Sequence, residues 1–115
     1  MSGDEDWWVL PETPDGDGLA LSTPIHAPEG REQAVRLAED FCRNRGVYQH
    51  PGTRAARQVY RLSPTAWLVA YQRPRREGSE IRYHKGHFRV TIATLEASVE
   101  AEIPEEKKKG LFRRG

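Results

Sequence analysis

Histidine is the side chain best suited to proton transfer near neutral pH, and the sequence contains four of them. His84 and His87 lie three residues apart, and two imidazoles on one face of a hairpin could bind a metal ion. Two ligands do not make a zinc site, which needs three or four. His26 and His50 lie in segments flanked by proline and have no partner at a fixed spacing. The sequence therefore predicts no metal site and no cofactor.

Acid–base catalysis is the other chemistry that histidine offers. A histidine among arginine and lysine side chains could cleave RNA, as small metal-free ribonucleases do. No second proton-transfer group is placed by spacing, so we expect no catalytic residue and keep a small metal-independent ribonuclease as an alternative.

Cys42 is the single cysteine of the 115 residues, which excludes disulfide scaffolds and zinc ribbons. It falls on the apolar stripe of a predicted helix. We therefore expect a buried thiol that acts as a small core side chain and not as a nucleophile.

Charge is distributed unevenly along the chain. Residues 51–93 contain nine basic and two acidic residues, whereas residues 1–28 contain six acidic residues and neither Lys nor Arg. The total of 18 Lys plus Arg and 17 Asp plus Glu nevertheless leaves a formal charge of only +1. Such asymmetry indicates either an interaction surface or internal neutralisation of the basic segment by the acidic one.

The first hydrophobic segments predict a hairpin followed by a helix. Residues 6–10 are typical of a strand that Pro11 ends, residues 13–18 are rich in turn formers, and residues 19–22 predict a returning strand. Residues 28–45 predict a helix that ends at Gly46 in the left-handed conformation. The apolar stripe of that helix contains Ala34, Val35, Ala38, Phe41 and Cys42.

Two hairpins are predicted next, and their registers decide which side chains face outward. A turn at Pro64-Thr65 pairs Leu62 with Trp67 on the core face and leaves Arg57 and Arg61 on the outer face. We further expect Val59 to share that outer face. A slip of one residue would exchange the two faces.

A second turn at Lys85-Gly86 pairs Arg82 with Arg89 and His84 with His87 on the outer face. Like charges directly across a strand pair cost stability unless an anion offsets them. Arg82 and Arg89 are therefore predicted to form the centre of an anion-facing surface, neutralised either internally or by a partner.

Residues 95–103 alternate strictly between apolar and polar side chains, and they predict a strand that continues the preceding one through a bulge near Ala93-Thr94. Pro104 ends this strand. Residues 105–115 then form a charged C-terminal tail around an isolated Leu111-Phe112.

These elements predict an α+β fold in which one amphipathic helix packs on a curved antiparallel sheet of about four to six strands. The cystatin-like plan is an example by analogy only. Residues 1–104 form the single domain. No apolar run approaches the roughly 20 residues that span a bilayer, and the N-terminal residues are acidic where a signal peptide is basic, so we expect a cytoplasmic protein without a membrane partner.

The preferred functional prediction is a small non-enzymatic module of the immunity, antitoxin or adaptor type that binds a charged protein partner. Trp7 and Trp8 are adjacent and must point to opposite faces of a strand, so at least one of them is expected at the surface, where Trp and Arg are typical of protein interfaces. The predicted binding residues are Trp7, Trp8, Arg57, Arg61, Arg82, His84, His87 and Arg89.

Two other functions remain open. The arginines suit phosphate contacts in nucleic acid, but the stacking aromatics Trp67, Tyr71, Tyr83 and Phe88 are predicted on the core face, and a net charge of +1 is weak for such a protein. A structural subunit of a larger assembly would have the same sequence features.

Overall fold

The protein is described by a computed structural model that covers residues 5–47 and 55–105, and within these ranges one helix packs on one six-stranded antiparallel sheet. The α+β prediction is confirmed. The strands and the helix are β1 (Trp7–Asp15), β2 (Gly18–Leu21), β3 (Ile25–Ala27), α1 (Arg31–Asn44), β4 (Ala56–Ser63), β5 (Ala66–Glu77) and β6 (Glu80–Thr94).

The sheet order is β2-β1-β6-β5-β4, and the short strand β3 pairs with the same edge of β1 as β2 does. The N-terminal strands therefore lie beside β6, so the acidic start of the chain is adjacent to the basic strand. Among the described residues, no helix is long enough and apolar enough to cross a lipid bilayer.

The helix forms where the apolar stripe predicted it, but it begins at Arg31 because Pro28 and Glu29 form a turn after β3. It ends as predicted. The Arg45 amide donates to the Phe41 carbonyl at 2.9 Å, and Gly46 follows with a φ of 85°. Its buried side chains are Ala34, Ala38, Phe41 and Cys42.

The core lies between α1 and one face of the central strands. Phe88 is fully buried and meets the Phe41 ring edge-on at 5.8 Å between centroids. The other large buried side chains of the sheet are Val9, Trp67, Val69, Tyr71, Val90 and Ile92. The face predicted for β5 is therefore correct.

Pro11 does not end the first strand, which continues to Asp15. The Pro11 carbonyl accepts a hydrogen bond from the Ser22 amide at 2.8 Å, so the Pro11 nitrogen faces the same side. On that side β2 has ended and β3 has not begun, so the missing amide hydrogen of proline costs no ladder bond.

The register predicted for β4 is wrong beyond its turn. Pro64-Thr65 does connect the strands, and Ser63 pairs with Ala66. An irregularity between Arg61 and Ser63 then shifts the pairing by one residue, so that Arg61 lies opposite Trp67. The shift moves Arg57, Val59 and Arg61 from the outer face to the face of the helix.

The turn predicted at Lys85-Gly86 is also wrong, because β6 passes straight through these residues. The turn lies at Gly78-Ser79, where Gly78 has a φ of 64°. Gly86 instead lies opposite Tyr71, and a Cβ at position 86 would clash with the Tyr71 hydroxyl. The glycine permits a close approach and not a turn.

The strand predicted over residues 95–103 is absent, because β6 ends at Thr94 and the following residues to Glu105 have no regular structure. The predicted bulge near Ala93-Thr94 is therefore wrong as well. The expectations for His50 and for most of the C-terminal tail fall on residues 48–54 and 106–115, which lie outside the described residues.

Candidate functional site

The sheet has a second face, opposite α1, on which no element of the described chain packs. We call it the open face. Strand pairing and the alternation of burial place on it the following side chains of the four long strands: Trp8, Leu10 and Glu12 of β1, Lys85, His87, Arg89 and Thr91 of β6, Leu68, Ala70 and Gln72 of β5, and Gln58 and Tyr60 of β4.

Arg89 lies near the middle of the open face, between Glu12 of β1 and Leu68 of β5. The predicted pairing of Arg82 with Arg89 is wrong, because both belong to one continuous strand. The arginine opposite Arg82 is Arg75 of β5. No like charge lies directly across the strands from Arg89, because the residue opposite it on β1 is Glu12 of the acidic N-terminal segment.

One end of the open face contains an apolar groove of about 280 Å³. Its lining is almost entirely carbon, which suits an apolar side chain of a partner and offers few polar groups to orient a reacting substrate. The residues that line it are Trp8, Leu10, Pro24, Ala93, Thr94 and Leu95.

His26 has a partner that its sequence position did not reveal. Its Nε2 lies 2.7 Å from Asp6 Oδ1, and its ring stacks on Trp8 with centroids 4.5 Å apart. The Trp8 indole N–H and the His26 imidazole, which both face Asp6, hold the pKa of that carboxyl below its usual range. A carboxylate that orients an imidazole is half of an acid–base site. Asp6 and His26 are 20 residues apart in the sequence, so their spacing gave no signal of this pair.

The other tryptophan, Trp7, points to the opposite side of β1, as the adjacency of the two residues predicts. It is half-buried against the core, and the Arg31 guanidinium lies 5.8 Å from its ring centroid. Trp7 therefore contributes to the helix side of the sheet and not to the open face.

Arg57 is not at the outer surface but at the end of the helix. Its Nη1 donates to the Cys42 carbonyl at 2.9 Å and to the Arg45 carbonyl, and its guanidinium lies 5.9 Å from the Phe88 centroid. A cation at the last carbonyls of a helix stabilises the negative end of its dipole. The contacts made by Arg57 are those of a structural residue.

Arg61 is likewise engaged within the molecule. Its guanidinium carbon lies 4.4 Å from the centroid of the Trp67 ring. The guanidinium also donates to the carbonyls of Ser63 and Pro64 at 2.9 Å each. Its Nη1 also lies 3.8 Å from Glu39 of the helix. These contacts fix the β4–β5 turn.

The β5–β6 hairpin extends beyond the strands on both sides of it. Pairing with β4 ends at Gln72 and pairing with β1 ends at Arg89, so residues 73–84 project as a two-stranded ribbon, which we call the hairpin arm. Arg82 on this arm lies 3.1 Å from Glu77 and 3.5 Å from Glu80. Its charge is partly offset within the arm.

The structure does not bring His84 and His87 together. They lie on opposite faces of β6, and His84 contacts the Tyr71 ring on the helix side. Within residues 5–47 and 55–105, no three side chains of His, Cys, Asp or Glu are grouped so that they could hold a metal ion. Of the predicted binding residues, three lie on the open face: Trp8, His87 and Arg89.

Cys42 is completely buried in the helix–sheet core, as predicted. Burial raises the pKa of its thiol from 9.0 to about 11, because the thiolate would lose its hydration. A thiol held neutral in this way is a poor nucleophile at neutral pH.

Comparison with known proteins adds no relative to this description. The sequence matches no protein-family model, and searches of curated proteins and of solved structures found no match either.

Proposed function

We propose that this protein is a non-enzymatic protein-binding module of the immunity, antitoxin or adaptor type, and that its open face meets the partner. The observation that supports the proposal is a sheet face on which the side chains of Trp8, Leu10 and Leu68 are half-buried among their neighbours and have no covering element in the described chain. Uncovered apolar area bordered by charge is typical of surfaces that bind other proteins.

The side chains of the open face indicate which chemical groups the partner must present. An apolar side chain would fill the groove beside Trp8 and exclude water from it, as the centre of a binding hot spot does. Lys85, His87 and Arg89 follow one another along the same face of β6, so the partner needs acidic groups at the rim of its apolar contact.

A paired substitution tests the proposal. Tagged full-length protein would be recovered from its own cells as wild type, as Leu68→Glu and as Arg36→Glu, where Arg36 lies on the exposed side of α1. Quantitative mass spectrometry should identify a protein that accompanies the wild type and Arg36→Glu but is depleted from Leu68→Glu. Thermal unfolding of each variant controls for folding. If Leu68→Glu recovers the same proteins as the wild type, the open face is not the binding surface.

Nucleic-acid binding is a second candidate, and the hairpin arm favours it. The arm contains Arg73, Arg75, Arg76 and Arg82. Tyr83, which the sequence predicted on the core face, also lies on the arm and is 55% exposed. A two-stranded ribbon of this kind fits the major groove of DNA, and arginines suit phosphate contacts.

Electrophoretic titration of duplex DNA and of RNA at low salt separates this candidate from the first. If the arm binds nucleic acid, complexes should form, weaken steeply with salt and be lost in the double variant Arg75→Glu/Arg76→Glu but not in Arg36→Glu. If no complex forms, the arm has no such function. Cleavage of the RNA that is abolished by His26→Ala would instead reject the non-enzymatic proposal.

A further inference from the structure

The segment that follows β6 has the pattern of a strand, but beyond Leu95 it pairs with no strand of the described chain. Residues 95–103, which we call the acidic segment, alternate Leu95, Ala97, Val99, Ala101 and Ile103 with Glu96, Ser98, Glu100 and Glu102. Val99 is 91% exposed and Ile103 is 89% exposed. Apolar side chains in alternation are normally buried on one face of a sheet, so their exposure here indicates that a covering surface is supplied from elsewhere.

The acidic segment does not return to its own sheet. The Leu95 amide donates to the Asp6 carbonyl at 2.8 Å, which extends the pairing of β6 with the chain before β1 by one residue. The chain is therefore still running straight as it passes the end of the sheet. Residues 95–103 contain no Gly, Pro, Asn or Asp, and Ser98 is the single residue among them of a type that favours turns.

One edge of the sheet can accept a strand of this length. β4 pairs with β5 on one side only, and its other side is unpaired among the described residues. The opposite edge of the sheet is divided between β2 with four residues and β3 with three, and it carries the acidic turn at Asp15 and Asp17. That edge is too short and has the wrong charge for the acidic segment.

The two faces of β4 match the two faces of the acidic segment. On the open side, Tyr60 is 50% exposed, and the neighbouring Leu62 at the irregularity is 53% exposed. On the helix side, a groove of about 210 Å³ is lined by Glu39, Arg43, Val59, Arg61 and Trp67. Two arginines and one glutamate leave this groove with a net positive charge that favours the glutamates of the segment. The exposed Arg43 contributes most to this attraction, because Arg61 already binds the β4–β5 turn.

We propose that residues 95–103 add as a strand to the β4 edge of a second copy of this chain. The glutamates then lie on the helix side near Arg43 and Arg61, and the apolar side chains extend the open side beside Tyr60. Each copy has both a donor segment and an acceptor edge, so a reciprocal exchange closes as a dimer. The inference uses an edge of the sheet, and it stands whether or not the open face binds a different protein.

Sedimentation of the full-length chain over a range of concentrations tests the exchange. The wild type should be a dimer, and Val99→Pro should raise the dimer dissociation constant by roughly an order of magnitude or more, because proline removes a backbone donor from the added strand. Val99 is 91% exposed, so the substitution leaves the core intact. Val99→Thr keeps both the backbone donor and a β-branched side chain, and it should remain dimeric.

Hydrogen exchange at residues 95–103 distinguishes the remaining outcomes. Amide protection that appears with dimer formation, and is lost in Val99→Pro, would support the exchange. A monomer with protected amides would mean that the segment folds back on its own sheet, and a monomer with unprotected amides would mean that it pairs with no copy. A dimer that Val99→Pro leaves unchanged would mean that copies meet elsewhere. Each of these three results would overturn the proposal.

Discussion

The two faces of β6 have opposite environments although their residues alternate along one strand. Phe88 and Val90 have no exposed surface beneath the helix, whereas Arg89 between them is exposed on the open face. In the described part of the chain, a single helix covers only one side of the six-stranded sheet. Stability is therefore concentrated on the helix side of this protein, which leaves the open face free to be selected for binding.

The strongest test of this comparison is to truncate one large side chain on each face. Phe88→Ala should lower the free energy of unfolding by about 3–5 kcal/mol, because it leaves a cavity beside Phe41 in a closed core. Leu68→Ala on the open face should cost about 1 kcal/mol or less. Denaturant unfolding of both variants gives the two values, and equal losses would mean that the open face also holds the fold together.

Two glycines, one against the helix-side core and one at the tip of the hairpin arm, should give the next largest difference. Gly46 has a φ of 85°, and a Cβ there would lie 2.8 Å from the Phe88 ring, so Gly46→Ala should cost about 2–4 kcal/mol through backbone strain and overpacking. Gly78 at the tip of the hairpin arm has a φ of 64° but open space around it. Gly78→Ala should therefore cost only about 1 kcal/mol. Similar unfolding midpoints for the two variants would contradict the close packing at position 46.

The buried thiol predicts how the helix side responds to alkaline pH. Burial raises the pKa of Cys42 from 9.0 to about 11, so the folded state keeps its proton over a range in which the unfolded state loses it. The free energy of unfolding should therefore fall between pH 9.0 and about 11, by about 2–3 kcal/mol from this group. The pH dependence of Cys42→Ala provides the control. If the wild type and Cys42→Ala lose stability in parallel over this range, burial does not raise the pKa of the Cys42 thiol.

The smallest expected effect is on the open face, where Arg89 lies opposite Glu12. Arg89→Glu should lower the free energy of unfolding by a few tenths of a kcal/mol up to about 1, because it opposes two carboxylates. The double variant Arg89→Glu/Glu12→Arg should recover the loss, which thermal unfolding of the two single variants and the double variant can measure. Absence of any coupling between the two positions would show that the pair does not interact across the strands.

Sequence periodicity predicted the elements better than it predicted their registers. The stripe around Ala34 and Phe41 identified the helix, and the alternation from Trp67 to Tyr71 identified the buried face of β5, because both patterns follow from burial on one side. An irregularity near Leu62 then exchanged the faces of β4, and no residue type there signals it. The position of Arg57 at the helix end could therefore not be predicted.

The error at the longest hairpin had a different origin. Lys85-Gly86 and Gly78-Ser79 are both glycine-containing dipeptides between strand-like segments, and Gly-Ser is the better two-residue turn. The glycine at position 86 is required instead by the nearby Tyr71 ring, a contact between two strands that composition does not reveal. This error produced the false pairing of Arg82 with Arg89, and with it the predicted centre of the site.

Photo-crosslinking from single positions in the protein's own cells tests most directly whether the open face binds a protein. A photoreactive phenylalanine analogue would replace Leu68 on the open face or, as the matched control, Arg36 on the exposed side of the helix. If the open face binds a protein, a discrete cross-linked product should form from position 68 and none from position 36. No cross-link from position 68, or the same products from both positions, would contradict it.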